Sequence, residues 1–172
     1  MTITLQTDRL LLRMFRQEDI DQYAPICADP EVMRYLTGAP LSRQDAWRQM
    51  AMLVGHWTLR GFGMWAVEER ATGRLVGRVG FHYPEEWPGF ELGWTLGREF
   101  WGRGYATEAA SVALDYAFTE MDREHVISCI HPDNAPSIRV AERLGETLEG
   151  QTEVLGKPVW IYGIRRDGAE PA

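Results

Sequence analysis

Only two cysteines, Cys27 and Cys129, occur in 172 residues. They are too few and too far apart for a disulfide framework or a metal knuckle, so two half-buried thiols in a reducing compartment are expected. No apolar run approaches the ~18 residues that a membrane span needs. The first thirteen residues lack the basic segment and apolar core of a targeting signal. Internal repeats, low-complexity stretches and Pro/Ser linkers are also missing. One domain over residues 1–166 is therefore expected, with a frayed tail over 167–172. Positive charge is scarce: 18 Lys and Arg face 25 Asp and Glu, a net charge of −7. Such a surface suits neither nucleic acid nor an anionic membrane, and leans toward encounter with cationic small molecules or basic peptides. The expectation is a cytoplasmic protein without a metal site, either a monomer or a homodimer.

What is present is a regular succession of elements. Residues 10–15 read as a first strand, and Glu18-Asp19 open a helix with Ile20, Tyr23, Ala24 and Cys27 on one face. Asp29-Pro30 start a short helical turn. Ser42, three residues before Asp45, caps a helix running through Trp47, Met50, Ala51, Val54 and Trp57, which Gly61 and Gly63 end. Residues 64–69, 75–83 and 90–96 form an antiparallel meander. Residues 104–121 are a long helix with alanines at three- and four-residue steps. Residues 126–130 are a strand and 135–144 a helix stopped by Gly145, and two strands flank the Gly156-Lys157-Pro158 turn. The tryptophans Trp47, Trp57, Trp65 and Trp160 are read as core. The fold expected is α+β: a mostly antiparallel, mixed sheet of seven strands flanked by about four helices. The strand-helix-strand crossover makes one parallel neighbour pair.

The segment Arg98-Glu99-Phe100-Trp101-Gly102-Arg103-Gly104-Tyr105-Ala106-Thr107-Glu108 joins a strand to the long helix. Its glycines allow the backbone close to a ligand, and the first helical amides have no intrahelical partner. The turn therefore suits an anion. Arg98 and Arg103 can add positive charge. A Walker loop would need Gly-Lys-Ser/Thr, which is absent; a dinucleotide fold would place its glycines after the first strand, with a third glycine following. Neither fits.

Glu91-Leu92-Gly93-Trp94 followed by Trp101-Gly102-Arg103-Gly104-Tyr105-Ala106-Thr107-Glu108-Ala109 resembles the acetyl-CoA-binding core of the GNAT N-acetyltransferases, in particular the ribosomal-protein-alanine N-acetyltransferase-like branch. The resemblance extends from Thr7-Asp8-Arg9-Leu10-Leu11-Leu12-Arg13 through Asn134-Ala135-Pro136-Ser137 to the last strand. It implies a GNAT-like fold in which the Glu91 strand splays from its parallel neighbour and pantetheine lies in the gap. It also implies that acetyl-CoA is the co-substrate. The backbone of Trp94, Thr95 and Leu96 would then pair with the pantetheine arm, and the amides of Gly102, Arg103, Gly104, Tyr105, Ala106 and Thr107 would hold the pyrophosphate. Asn134 would bond the pantetheine or the substrate amine, and Ser137 would sit near the sulfur. Trp101 stands where the family pattern has Gln or Arg. Ala141-Glu142 stands where many members carry a tyrosine before the glutamate, so tyrosine acid catalysis from that helix is ruled out, leaving Ser137 or solvent to protonate the thiolate.

Acetyl transfer needs a neutral amine, and an ammonium of pKa about 10.4 must first lose its proton to a base. Glu91, a carboxylate in an apolar strand, is the candidate base, directly or through water; the alternative is a glutamate on the solvent face. His82 is a second candidate, Trp87 a candidate wall of the acceptor pocket, and Arg139 a phosphate contact or a surface arginine. His131 is read as a shaper of the loop into Asn134. The function expected is direct attack by a primary amine, of a small molecule or a protein N-terminus, on the thioester. The alternative is a non-catalytic acyl-CoA-binding or regulatory domain on the same fold. The acceptor itself is not legible, because the early helices and the loops over 36–40 and 84–90 choose it.

Overall fold

In chain order the elements are β1 (Leu5–Gln6), β2 (Leu10–Arg13), α1 (Ile20–Ala28), α2 (Pro30–Met33), α3 (Arg43–Arg60), β3 (Met64–Glu69), β4 (Arg74–His82), β5 (Glu91–Leu96), α4 (Tyr105–Thr119), β6 (His125–Ile130), α5 (Ala135–Arg143), β7 (Thr147–Val154) and β8 (Lys157–Arg165). They are seen in a computed structural model that describes residues 3–167; of the tail expected to fray, 168–172 lie outside the described residues. The strands form one sheet in the order β1-β2-β3-β4-β5-β6-β8-β7, and β5 and β6 are its parallel pair. The α+β architecture is as expected. The two-residue β1 adds an eighth strand, too short to leave a periodic signal, and α2 a fifth helix. Among the described residues no helix is long and apolar enough to cross a membrane.

Alternation along the strands gives the sheet two apolar faces. On one, Met64 and Ala66 of β3 pack with Tyr23, Cys27, Met33, Met50 and Leu53 from the first three helices. On the other, Trp65, Val79, Phe81 and Leu92 meet Ala109, Ala110, Ala113 and Ala117 of α4, whose small side chains let the helix lie close to the sheet. The α1 face is the expected one. In α3 the Ser42 cap is present, accepting from the Asp45 amide at 3.1 Å. The buried stripe, however, is Ala46, Met50, Leu53 and His56, while Trp47 is 47% exposed. One residue of offset turns a helix face by about 100°, and packing against α1 and β3 chose the neighbouring row.

The parallel pair is short. Glu91 and Ile127 are its one register pair, with the Ile127 amide donating to Phe90 O at 3.0 Å. Past that point a side chain replaces the backbone ladder: Ser128 Oγ donates to Leu92 O at 2.8 Å. Beyond it the strands separate, and that gap organises the site.

Candidate active site

Two cavities meet at the gap. One, of about 570 Å³, is lined by Trp94, Thr95 and Leu96 of β5, by Gly102, Gly104, Tyr105, Ala106 and Thr107 at the start of α4, and by Asn134. The other, of about 290 Å³, holds Glu91, His82, Trp87, Gln49, Ser128 and Cys129. Tyr35, Leu36, Trp94, Thr95, Asn134 and Ser137 line both. Nearly all the residues singled out from sequence thus converge, from five separate elements.

The larger cavity is a fit for a polyanion. Gly104 caps α4 at φ 78 and offers no side-chain cap, so the amides of Tyr105, Ala106 and Thr107 remain free for a ligand. The charge expected from Arg98 and Arg103 goes elsewhere: Arg98 pairs with Asp29 at 3.0 Å, and the Arg103 guanidinium lies 3.8 Å from Glu69 and over the Phe100 ring. The arginines that line the cavity are Arg34, Arg139 and Arg143. Of these only Arg139 had a local signal, its place one turn into the Asn134-capped helix. The turn is braced from behind, a role sequence reasoning missed. Arg9 donates to Arg103 O at 3.0 Å and to Glu108 at 2.6 Å, and Glu108 also accepts from the Thr7 hydroxyl.

Backbone alternation narrows which part of β5 faces the gap. The Gly97 amide donates to Val76 on β4, whereas the Phe90 and Leu92 carbonyls are taken by β6. Odd-numbered residues therefore point their backbone groups at β4 and even-numbered ones at the gap. Leu96 O is occupied by the Trp101 indole at 2.9 Å, which explains how Trp101 is accommodated. Trp94 is left as the residue presenting N–H and C=O where the strands have parted. Thr95, opposite Arg78 in the register, presents its backbone to β4.

Glu91 is buried, 9% exposed, not on the solvent face. Trp87 Nε1 donates to Oε2 at 2.6 Å, and the Cys129 amide to Oε1 at 3.4 Å. Burial pushes the carboxyl up to about 7, against the opposing pull of Trp87, Cys129 and Arg78. His82 stacks on His56 and meets the edge of Trp87. Burial, then the charges of His56 and Arg78, push it down to about 4. Asn134 caps α5 by accepting from the Ser137 amide at 3.4 Å. Ser137 Oγ accepts from the Trp94 indole at 3.3 Å, which leaves its own O–H free to donate. His131 O accepts from the Asn134 amide, so that histidine does shape this loop. Tyr162 packs in a small core with Ile130 and Ala141.

Two contributions were invisible in the sequence. The β7–β8 turn brings Val154, Leu155 and Lys157 to the smaller cavity, tied there by Lys157 Nζ donating to Leu36 O at 2.7 Å. Glu146, directly after the Gly145 that stops α5, is 2% exposed. Ser128 Oγ stands 2.8 Å from Leu92 O and 3.0 Å from Glu146 Oε1. A hydroxyl has one hydrogen, and a carbonyl can only accept. Both contacts are satisfied when Ser128 donates to Leu92 and a protonated Glu146 donates to Ser128. Glu146 Oε2 is buried without a partner, which fits the neutral acid. Burial pushes its pKa up to about 8; the Ser128 bond opposes this, and the charges of Glu91 and Glu149 add to it.

A carboxyl whose folded pKa lies above its unfolded value contributes stability that is whole below the unfolded pKa and is lost as pH rises toward the folded one. For Glu146 that window runs from 4.5 to about 8. Glu146→Gln keeps a donor for Ser128, so it is expected to be more stable than the parent at pH 8 by about 1–3 kcal/mol. Urea unfolding from pH 5 to pH 8 checks this: the difference must shrink toward pH 5, and a constant offset contradicts the neutral-acid assignment.

Comparison with known proteins gives a consistent result. The family model described as acetyltransferase (GNAT) domain matches residues 9–147. An uncharacterized N-acetyltransferase, p20, of Bacillus licheniformis is 32% identical over 86% of this chain and 84% of its own. An acetyltransferase structure from Agrobacterium tumefaciens str. C58 superposes with a TM-score of 0.85 at 30% identity, covering 95% of each chain. The RimL ribosomal α-N-protein acetyltransferase, solved in complex with coenzyme A, shares the fold at a TM-score of 0.80 and 17% identity, covering 97% of this chain and all of that one.

Proposed function

Since the chain belongs to the GNAT family of acetyltransferases, acyltransferases that use acetyl-CoA, we propose that it acetylates a primary amine, of a small molecule or a protein N-terminus, by direct attack of that amine on the thioester. The observation that carries this reading is Glu91, a buried carboxylate with a pKa of about 7 in the smaller cavity, on the strand that runs into the junction of the two. Bound acetyl-CoA supplies an activated acetyl group. Glu91 accepts the proton of the amine, its pKa matched to neutral conditions. His82, held down at about 4, is the weaker acceptor. The Trp94 N–H is the donor for negative charge developing on the carbonyl oxygen. Ser137, already accepting from Trp94, is the proton donor to the departing sulfur. The free amides of α4 together with Arg34, Arg139 and Arg143 bind the pyrophosphate.

The test mixes the protein with acetyl-CoA and a panel of small amines and peptides, and follows free thiol. Thiol release with an N-acetylated product is expected; binding of acetyl-CoA without thiol release from any amine overturns the reading. Ser137→Ala is expected to lower kcat about tenfold with little change in acetyl-CoA affinity. An unchanged kcat would hand the proton donation to solvent.

A further inference from the structure

The smaller cavity carries a charge pattern that the proposed transfer does not use. Its charged lining is Arg78, Lys157 and Glu91. A chain of net charge −7 therefore presents two cations and one carboxylate where the acceptor binds. Lys157 is engaged with Leu36 O. Arg78 differs: its Nε is buried with no hydrogen-bond partner, and it makes no ion pair among the described residues. Its polar neighbour is the Tyr23 hydroxyl, which itself donates to Gln49 Oε1 at 2.6 Å. Glu91 feels the Arg78 charge but forms no ion pair with it, and its two oxygens accept from Trp87 and Cys129. A half-buried guanidinium that lines the cavity without an ion-pair partner is suited to planar, two-pronged recognition of a carboxylate.

The sheet between the two charges is hollowed. Glu91, Gly93 and Thr95 of β5 lie opposite His82, Gly80 and Arg78 of β4. Along the strand the Cα atoms of Glu91 and Thr95 are about 13 Å apart, and the middle pair has no side chains. A Cβ at Gly93 would come 2.9 Å from Met64 Cε, so the floor there has no room for one.

We propose that the acceptor itself brings the missing anion: the cavity takes an amine that also carries a carboxylate, with the amine toward Glu91 and the carboxylate on Arg78. The amine half rests on the transfer reading above; the anion half rests on Arg78 and the cavity. Polycationic acceptors, which the overall charge favours, meet Arg78 and Lys157 and are disfavoured.

The test compares matched acceptors by thiol release at saturating acetyl-CoA: an amino acid, its amide, its methyl ester and a diamine. In the parent protein kcat/KM for the acid is expected to exceed that for the amide by roughly 30-fold. Arg78→Gln should bring the ratio near one, and Arg78→Lys should retain part of it. The acid-against-amide comparison in the parent needs no variant, so misfolding of Arg78→Gln cannot mask the result. A parallel thermal-shift series with CoA and the same compounds reads binding without turnover. Stabilisation by the acid that Arg78→Gln abolishes, without thiol release, upholds the anion site and refutes the transfer. Thiol release from amides and diamines with no preference for the acid upholds the transfer and refutes the anion site.

Discussion

Glu91→Gln is expected to lower kcat by about 10²–10⁴ while acetyl-CoA binds as before. The substitution is nearly isosteric, and one carbonyl oxygen remains to accept from Trp87 or from the Cys129 amide, so the cleft should keep its shape. What disappears is the group that takes the proton. In the parent, kcat/KM for a given amine should show a limb that rises through about 7, the pKa that burial confers on Glu91, and the variant should lack that limb. The same burial has a stability consequence of defined sign. The contribution of Glu91 is whole below 4.5 and is lost as pH rises to about 7, so the less active variant should lose less stability across that range. A variant with full turnover and an unaltered profile would remove Glu91 from the mechanism.

Gly104→Val should weaken acetyl-CoA binding by about 10- to 100-fold. Gly104 sits at φ 78, where a β-branched residue is a strong outlier costing on the order of 1–3 kcal/mol. Crowding is not the cause, since a Cβ at this position would meet only Arg9 Nη2 at 3.6 Å. The chain relieves the strain by rotating the start of α4, which turns the amides of Tyr105, Ala106 and Thr107 away from the cavity. Helix α4 itself should persist, because its buried alanines hold it to the sheet. Calorimetric titration with CoA measures the effect, and circular dichroism checks the helix. Unchanged affinity in a folded variant would mean that the cradle does not depend on this conformation.

The two halves of the site were not equally legible. The glycine turn along the larger cavity could be read because Gly102 to Thr107 are consecutive: a positive-φ glycine and the first amides of a helix are properties of one short stretch. The Asn134 cap was legible for the same reason, on the helix that holds Ser137. The charge around the cradle was less legible, because the reach of an arginine depends on its competitors. Asp29 and Glu69, distant in sequence, draw Arg98 and Arg103 away, while Arg34 and Arg143 arrive from other elements. The face of α3 was read one row off, since periodicity around Met50 suits both rows and only the packing partners separate them.

The acceptor side depends on register and on distant elements. Whether Glu91 is buried or a surface acid turned on Trp87 closing over it and on β6 supplying the Cys129 amide. Glu146 follows a helix stop, with no local signal in the sequence; it is buried because α5 returns the chain over Ser128. The net charge of −7 pointed toward cationic acceptors, yet the cavity gathers Arg78 and Lys157 from positions 79 residues apart. What the sequence by itself determined is therefore the α+β fold and the glycine turn that opens α4, because helix starts, glycine turns and apolar periodicity act over a few residues. The tertiary structure alone decided the burial of Glu91 and Glu146 and the charge lining the smaller cavity. Desolvation and ion pairing are set by which distant side chains exclude water from the same space.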